Sequence, residues 1–181
     1  MVRIVGGRCR GLKLDVPKGQ KVRPTSDRVR EAIFNVLAHR FPGRILDALV
    51  LDLFAGSGAL GIEALSRGAG CVDFVEKSRD NARLIQRNAH KVSQDFTLTT
   101  TDAARFLRES PKTYDLIFLD PPYHEEHYTS ILAQILTTRC LAETGLVYIE
   151  SPSELTIELP DGLTDVFERQ YGSTKVTLVT R

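Results

Sequence analysis

The sequence has no long apolar run, few cysteines and none of the motifs typical of serine hydrolases. No segment approaches the roughly 20 apolar residues that a membrane-spanning helix needs, and the start, MVRIVGGRCR, lacks the apolar core of a secretory signal. Cys9, Cys71 and Cys140 are widely spaced and form no Cys-x-x-Cys pair, so neither a disulfide framework nor a zinc site is indicated. Without a Gly-x-Ser-x-Gly motif, acyl transfer has no support. We therefore expect a cytoplasmic protein with reduced cysteines and no bound metal.

The composition is that of an ordinary globular protein, and the length suits one domain. Of the 181 residues, 42% are hydrophobic, 26% are charged and 7% are aromatic, which excludes disordered, collagen-like and coiled-coil classes. The chain has no internal repeat, low-complexity tract or linker. We predict a single domain over residues 1–181, with a basic N-terminal β-hairpin and loop as an extension at 1–24 and a catalytic core at 25–181.

The net charge of +1 conceals an uneven distribution. Residues 1–44 carry eleven Lys and Arg against three acidic residues, a net of +8, whereas the rest of the chain carries a net of −7. Such a basic segment can contact the phosphates of a nucleic acid without a high overall pI, although a solvated charged arm is the alternative. The candidate phosphate contacts are Arg3, Arg8, Arg10, Lys13 and Arg23, followed by Arg28 and Arg30 on the next helix. For Arg28, a surface salt bridge with Glu31 is an equally good explanation.

Hydrophobic periodicity predicts an N-terminal hairpin and a helix, followed by alternating strands and helices. Residues 2–16 predict two short strands joined by a Gly-rich turn, and a helix is predicted to begin near Thr25 and end near Pro42-Gly43. Strands follow at 49–54, 71–76, 96–100, 116–120 and 146–150, and helices at 59–67, 79–91, 102–109 and 126–138. Residues 164–171 and 174–180 predict a hairpin around Gly172-Ser173, while 151–163 carry no helix signal. This pattern predicts an α/β fold: a mostly parallel sheet, covered by helices on both faces and completed by an antiparallel C-terminal hairpin.

One segment, Asp52-Leu-Phe-Ala-Gly56-Ser-Gly58-Ala-Leu-Gly61, follows an apolar strand and opens a predicted helix. In that context Gly-x-Gly-x-x-Gly indicates nucleotide binding. Glycine at positions 56 and 58 allows a sharp turn and the close approach of a ligand, and Gly61 permits close packing of helix on strand. Glu76 ends the next strand, where its carboxylate can accept hydrogen bonds from a ribose diol. The alternative is a tight turn without a ligand.

The Gly-rich turn alone does not distinguish a dinucleotide from S-adenosylmethionine, because both place an adenosine ribose over it. Asp102 follows the third of the predicted sheet strands and could accept a hydrogen bond from the adenine amino group. Capping of the next helix explains an Asp at this position equally well. The pair Asp102-Ala103 leaves both interpretations open, so another motif must decide.

The most informative stretch is Tyr114-Asp-Leu-Ile-Phe-Leu-Asp120-Pro121-Pro122-Tyr123. A carboxylate at the C-terminal end of a parallel strand lies where open α/β sheets bind ligands. The two prolines stiffen the turn and lack backbone N–H groups, so the segment offers oxygen acceptors suited to a planar NH2 group. Tyr123 adds a flat face on which a purine could stack. The alternative is a proline-bearing loop with a capping Asp and a packed Tyr.

The chemistry that this corner suits is methylation of an exocyclic amine on a nucleobase. Such an amine is a poor nucleophile because its lone pair is delocalised into the ring. Acceptors at Asp120 and the Pro121 carbonyl would orient the amine and stabilise the positive charge that develops as it attacks a sulfonium methyl group. The methylated product is acidic, so its proton can leave by the carboxylate or by water.

These motifs resemble those of class I S-adenosylmethionine-dependent methyltransferases that act on amino groups. Over nearly its whole length the chain is similar to the ribosomal RNA small subunit methyltransferase D family, which methylates guanine N2 in 16S rRNA. The resemblance rests on Arg3-Ile-Val-Gly-Gly-Arg, on the segment from Arg23 to Glu31 with Phe34-Asn35, on residues 52–69 and on Asp120-Pro-Pro-Tyr123. It implies a Rossmann-like sheet of seven strands and a guanine substrate presented in a small-subunit assembly intermediate.

The resemblance also implies the residues of the site. The target base is expected at Asp120, Pro121, Pro122 and Tyr123. S-adenosylmethionine is expected to contact Asp52, Phe54, Ala55, Gly56, Ser57, Gly58, Glu76, Lys77, Asp102 and Ala103. We expect a monomer, because one side of the sheet must stay open to a ribosomal surface.

Rival functions stay open at this point. An N6-adenine methyltransferase acting on DNA or RNA would use the same corner, although such enzymes more often have Asn where this chain has Asp120. An NAD-dependent oxidoreductase could share the sheet but leaves residues 120–123 unexplained, and a non-catalytic binding module predicts no turnover with cofactor and RNA. His124-Glu-Glu-His127 resembles metal-ligand spacing, but it has no third ligand nearby and is expected to be a solvated helix start.

Overall fold

The structure, a computed structural model, describes residues 2–16, 27–110, 112–121 and 125–181, with only the backbone described for 125–127. At the N-terminus, β1 (Val2–Arg3) pairs antiparallel with β2 (Lys13–Leu14). Helix α1 then spans Asp27–Arg40. The predicted hairpin and the predicted helix end near Pro42 are confirmed, while the predicted helix start at Thr25 lies outside the described residues.

The central element within the described ranges is a seven-stranded sheet with the order β5-β4-β3-β6-β7-β9-β8. Strands β3 to β7 are parallel, and β9 runs antiparallel between β7 and β8. The predicted mostly parallel sheet with an antiparallel C-terminal hairpin is confirmed. The strands are β3 (Leu49–Asp52), β4 (Cys71–Val75), β5 (Phe96–Thr99), β6 (Tyr114–Leu119), β7 (Leu141–Pro152), β8 (Thr164–Tyr171) and β9 (Thr174–Thr180).

Helices cover both faces of this sheet, as the alternation of elements predicted. Successive side chains on a strand point to opposite faces, so Val50 of β3 joins one hydrophobic core and its neighbour Leu51 joins the other. The first core includes buried side chains of α1, α2 (Ala59–Ser66) and α3 (Arg79–His90). The second includes those of α4 (Ala103–Glu109) and α5 (Glu125–Thr137).

The crossover between β7 and β8 is formed by a segment without a helix. Residues 153–163 contain two turns, joined by a stretch without regular secondary structure. Alternate side chains of this stretch, Leu155, Ile157 and Leu159, pack against the second core. Because every second side chain is apolar, an extended chain buries this segment as a helix could not.

The N-terminal hairpin contributes side chains to the hydrophobic core. Val2, Ile4 and Leu14 are buried in the first hydrophobic core. The turn between β1 and β2 is attached to α2, because Ser66 Oγ accepts a hydrogen bond from Cys9 N and donates one to Gly6 O. The charged residues of this segment are exposed, while its apolar residues Val2, Ile4 and Leu14 are buried.

A buried charged cluster joins the N-terminal segment to α1 and α2. The Glu63 carboxylate of α2 is fully buried and accepts hydrogen bonds from Val5 N at 2.8 Å and from Arg67 Nε at 2.8 Å. Arg30 of α1 is 1% exposed, with its Nε 3.7 Å from Glu63 Oε2, and it also donates to the Arg3 carbonyl oxygen and to Asp27. A buried carboxylate is stable only when paired, so these contacts require α1, α2 and the hairpin to assemble together.

Replacing Glu63 with Ala should lower the free energy of unfolding by about 3–5 kcal/mol, because it leaves buried cationic partners and a buried N–H uncompensated. Glu109→Ala is the matched control. Glu109 forms the exposed i,i+4 pair with Arg105, for which a loss below about 1 kcal/mol is expected. Urea denaturation of both variants would measure the difference. Equal losses would show that the buried cluster does not hold the N-terminal segment in place.

Candidate cofactor and substrate site

Four carboxylates lie at the C-terminal ends of neighbouring parallel strands. Asp52 ends β3, Glu76 and Asp120 directly follow β4 and β6, and Glu150 lies near the end of β7. In the parallel register Asp52 is opposite both Phe74 and Phe118. Glu76 and Asp120 therefore lie at the same level, one on each side of the loop that begins after Asp52. This edge is where open α/β sheets bind ligands.

The loop over residues 53–58 is held by backbone hydrogen bonds to both neighbouring strands. Leu53 N donates to Phe118 O at 3.1 Å, and Ala55 N donates to Val75 O at 3.1 Å. Gly56 and Gly58 have φ of 53° and 78°, in the left-handed region that favours glycine. A Cβ added at Gly56 would meet only Phe54 O, at 3.9 Å. The backbone at Gly56 is thus open to a ligand.

Gly61 brings α2 close to the sheet, as the motif predicted. A Cβ added there would lie 2.4 Å from Phe74 Cε1 and 2.9 Å from Val72 Cγ1. Asp52 is 4% exposed, and its Oδ2 accepts a hydrogen bond from Gly61 N at 2.9 Å. This contact ties the end of β3 to the first turn of α2, so the loop between them has fixed ends.

Burial raises the pKa of Asp52 to about 7, and the nearby Glu76 carboxylate adds to the increase. The hydrogen bond from Gly61 N acts in the opposite direction. Desolvation disfavours the charged form of a carboxyl, and a like charge does the same. Asp52 therefore holds its proton to a much higher pH than an ordinary Asp and ionises near neutral pH.

Glu76 links two loops through the two oxygens of its carboxylate. Its Oε2 accepts from Gly56 N at 2.8 Å, and its Oε1 accepts from Ser78 N at 2.7 Å. Each carboxylate oxygen has a second acceptor position, so the side chain can still receive both hydroxyls of a ribose diol. The Glu76 carboxylate and the open backbone at Gly56 together fit the adenosine part of a nucleotide-like cofactor.

The other predicted cofactor residues differ in their surroundings. Phe54 and Ser57 are half-buried in the loop, Ala55 is buried there, and Lys77 is exposed just after Glu76. Their contact with a cofactor stays a prediction.

Asp102 is the N-cap of α4, so the capping interpretation is confirmed. Its Oδ1 accepts hydrogen bonds from Ala104 N at 3.0 Å and from Arg105 N at 3.2 Å. Asp102 is exposed, whereas Ala103 is buried in the second core. A contact between Asp102 and an adenine amino group remains a prediction.

Asp120 lies in an acidic environment at the far side of the loop. Burial raises its pKa well above the usual range, and the Glu150 and Asp52 carboxylates raise it further. Pro121 is buried. Pro122 and Tyr123, the remaining residues of the predicted substrate corner, lie outside the described residues, and so does the start of the His124–His127 pattern.

Glu150 is a functional candidate that our reasoning from the sequence missed. It is 5% exposed, its Oε2 accepts from Tyr148 Oη at 2.9 Å, and its backbone oxygen accepts from Tyr128 Oη at 2.9 Å. Burial and the Glu150 and Asp120 carboxylates raise the pKa of Tyr148. The sequence did contain a signal for Glu150, because it ends the predicted strand 146–150. A carboxylate at the C-terminal end of a parallel strand lies where open α/β sheets bind ligands, and this rule, which selected Asp120, applies equally to Glu150.

The predicted RNA contacts divide into three groups. Arg3, Arg8, Arg10, Lys13 and Arg28 are exposed, and their role stays a prediction. Arg23 lies outside the described residues. The prediction for Arg30 is wrong, because this side chain is buried and bound to the Arg3 carbonyl oxygen and the Asp27 carboxylate. A basic residue on a helix cannot be assigned to solvent or core from charge alone.

Two further findings concern the described ranges as a whole. None of their helices combines the length and apolar character that a membrane span requires. They also contain no group of three or more His, Cys, Asp or Glu side chains arranged to hold a metal ion.

Comparison with known proteins gives matches over nearly the whole chain. The family model described as Conserved hypothetical protein 95 matches residues 2–180. The ribosomal RNA small subunit methyltransferase D of Escherichia coli K12 is 39% identical over 154 residues, which cover 84% of this chain and 76% of that protein. The corresponding protein of Haemophilus influenzae is 33% identical, over 94% and 89%.

Solved structures give the same result for the fold. The Escherichia coli protein yhhF superposes with a TM-score of 0.89 at 36% identity, covering 99% of this chain and 97% of that one. A more distant solved protein, complexed with SAH, has a TM-score of 0.68 at 19% identity, covering 86% and 49%. The second likeness shows a shared fold.

The raised pKa of Asp52 predicts that stability depends on pH. In the folded state this carboxyl holds its proton up to about pH 7, compared with its ordinary value of 3.8. The stability that the protonated form provides is therefore lost as the pH rises from about 4 to about 7. Asp52→Asn keeps an oxygen acceptor for Gly61 N but does not ionise. We expect its free energy of unfolding to rise relative to the unmodified protein over this range, by at most about 4 kcal/mol.

Urea unfolding at pH 4, 5.5, 7 and 8 would measure this difference, which should stop growing above about pH 7. Asp165→Asn changes an exposed carboxylate on β8 and should show no comparable trend. A difference for Asp52→Asn that is constant over the whole range would contradict the assigned protonation.

Proposed function

This chain belongs to the ribosomal RNA small subunit methyltransferase D family, and we propose that it methylates the exocyclic N2 amine of a specific guanine in 16S rRNA. The fold is that of a class I methyltransferase, and S-adenosylmethionine is the methyl donor. We further propose that the guanine is presented in a small-subunit assembly intermediate and that the enzyme acts as a monomer.

One observation carries the proposal. The open backbone at Gly56 and the carboxyl groups of Glu76 and Asp120 lie around one loop at one edge of the sheet, with Glu76 and Asp120 at the same level. A dinucleotide oxidoreductase has a use for the first two features but none for a half-buried carboxyl group followed by prolines. Methylation of an amine does have a use for it, because a carboxylate beside the cofactor loop could hold the amine next to the methyl donor.

The chain's own residues would bind and orient the donor. Glu76 is placed to accept hydrogen bonds from the ribose hydroxyls, and the glycine backbone of the loop allows close contact with the rest of the cofactor. When bound, S-adenosylmethionine supplies a methyl group on a positively charged sulfur. The acidic groups Asp52, Asp120 and Glu150 lie close enough for their charged forms to repel one another, and a cation bound beside them would favour their ionisation.

Asp120 would hold the amine of the target base and receive its proton. Its carboxylate and the Pro121 carbonyl oxygen are acceptors, and neither proline has an N–H that would compete for them. The environment that raises the pKa of Asp120 also makes its ionised form a better proton acceptor. Positive charge that develops on the amine nitrogen during transfer would be stabilised by the same oxygens.

Replacing Glu76 with Ala should weaken binding of S-adenosylmethionine by about ten- to a hundredfold, because hydrogen bonds to a charged group contribute about 1.5–3 kcal/mol. Isothermal titration calorimetry would measure the dissociation constant. Glu154→Ala, which removes an exposed carboxylate after β7, is the control and should bind normally. An unchanged dissociation constant for Glu76→Ala would remove Glu76 from the cofactor site.

Replacing Asp120 with Ala should leave the dissociation constant for S-adenosylmethionine within about threefold and reduce methyl transfer at least about a hundredfold, the usual scale for loss of a positioned acid–base group. Transfer of a labelled methyl group to small-subunit particles from a strain that lacks the enzyme would measure the rate. If cofactor binding and transfer fell equally, Asp120 would belong to the cofactor pocket.

The identity of the product tests the proposed substrate. Nucleoside mass spectrometry of rRNA from a deletion strain should show the loss of one N2-methylguanosine in 16S rRNA. Loss of N6-methyladenosine instead would assign the site to adenine methylation. An unchanged set of methylated nucleosides would contradict the proposed function.

A further inference from the structure

We infer that the exposed face of α3, together with the groove between α3 and β5, holds the sugar-phosphate backbone of the RNA substrate. This inference rests on the proposed function and adds a binding surface outside the basic N-terminal segment. The surface consists of the α3 basic stripe, Arg79, Arg83, Arg87 and Lys91, and of the groove beside it.

The α3 basic stripe follows from the geometry of the helix. Its cationic residues recur every fourth position, so successive charges are about 6 Å apart along the axis and turn by about 40° around it. Buried residues of α3, such as Leu84, Ile85 and Asn88, take up the opposite side. All four members of the stripe are exposed, and together they present a row of positive charge about 18 Å long.

Few acidic groups neutralise this row. Arg83 pairs with Asp80 at 3.4 Å, where both side chains are largely exposed, and such pairs are weak. Lys91 pairs with Asp15 of the N-terminal segment at 3.0 Å. For Arg79 and Arg87, the described residues provide no ion-pair partner.

The two ends of the stripe connect it to the rest of the site. Its first residue follows Ser78, the N-cap of α3, whose backbone N–H is bound by Glu76. The stripe therefore begins at the cofactor edge of the sheet. At the other end, Arg8 of the N-terminal segment donates to Val92 O at 3.2 Å. The exposed cations of the hairpin and those of α3 thus form one continuous surface, although the chain separates them by more than sixty residues.

The groove beside the stripe has room and chemistry for a nucleotide. It has a volume of about 490 Å³ and lies between α3 and β5, the edge strand of the sheet. Helix α3 contributes Arg79, Arg83, Gln86 and His90 to its lining, and β5 contributes Phe96. His90 and Phe96 pack edge to face, with ring centroids 4.9 Å apart. Aromatic rings and cations side by side are typical of surfaces that bind single-stranded RNA.

RNA suits this surface better than an acidic protein does. A protein interface of useful affinity has an apolar core with large anchoring side chains. In the described part of the chain the large hydrophobic residues classed as exposed are Val16 and Leu46, and neither lines the groove. Arginines, amides and a single pair of rings are better matched to phosphates and bases.

The test compares two triple variants that remove equal charge. Arg79→Gln, Arg83→Gln and Arg87→Gln neutralise the stripe. Arg105→Gln, Arg108→Gln and Arg139→Gln neutralise exposed cations of the opposite helical layer, one of which also has an exposed acidic partner. Binding of each protein to an unmodified 16S rRNA transcript would be measured by filter binding between 50 and 300 mM KCl, with calorimetry for S-adenosylmethionine.

The stripe variant should bind the transcript at least about tenfold more weakly at 100 mM salt, and the slope of log affinity against log salt should become shallower by about 2, from roughly 0.7 per phosphate contact. Its dissociation constant for S-adenosylmethionine should be unchanged, and its KM for small-subunit particles should rise while kcat is kept. The control variant should change each value far less.

Equal slopes for the two triple variants would overturn the inference, because the effect would then come from net charge alone. The inference would also be overturned if the stripe variant bound the transcript normally while the unmodified protein methylated small-subunit particles. That result would favour contact of the stripe with a ribosomal protein. If the unmodified protein failed to methylate the small-subunit particles, the proposed function itself would fail, and the inference with it.

Discussion

The site depends on two carboxylates that accept hydrogen bonds from glycine N–H groups. Asp52 binds Gly61 N and fixes the start of α2, while Glu76 binds Gly56 N and fixes the middle of the loop. With the loop held at its middle and at the start of the following helix, the left-handed Gly56 can leave one side of its backbone open. If either carboxylate were absent, the loop would lose the partner of a backbone donor. The position of the open backbone at Gly56 between Glu76 and Asp120 follows from these contacts.

The local parts of this arrangement could be predicted from the sequence. Asp52 to Gly61 follows an apolar strand and opens a helix, and the strands that carry Glu76 and Asp120 end near the predicted positions, so the rule about strand ends placed these residues together. Interactions between distant residues could not be predicted. The burial of Arg30 depends on Glu63 and on the carbonyl oxygen of Arg3, and no periodicity in any one segment indicates those partners. The helix-capping role of Asp102 was one of two local possibilities, and only the hydrogen bonds to Ala104 and Arg105 distinguish them.

The N-terminal segment illustrates how polar contacts can place a charged surface. Asp15 exchanges backbone hydrogen bonds with the side chain of Asn88, which is fully buried on α3. Ser66 on α2 binds the turn from the other direction. These contacts hold a hairpin of only two residues per strand, which would be marginal alone. They also fix the position of the backbone that carries its arginines and lysine. A basic arm that moved freely would contribute to affinity for RNA, but it would not align the substrate with the catalytic edge.

The acidic groups at the C-terminal edge of the parallel strands repel one another. Asp52, Asp120 and Glu150 lie in a region that water solvates poorly, and their mutual repulsion helps to hold the pKa of Asp120 well above its usual range. Such an arrangement lowers the stability of the folded chain at neutral pH. The positively charged sulfur of the cofactor would reduce the repulsion among these carboxylates. The positive charge that develops on the amine in the transition state would reduce it further. The repulsion among these carboxyl groups therefore favours a ligand that carries positive charge, and it favours most a ligand whose positive charge increases in the transition state.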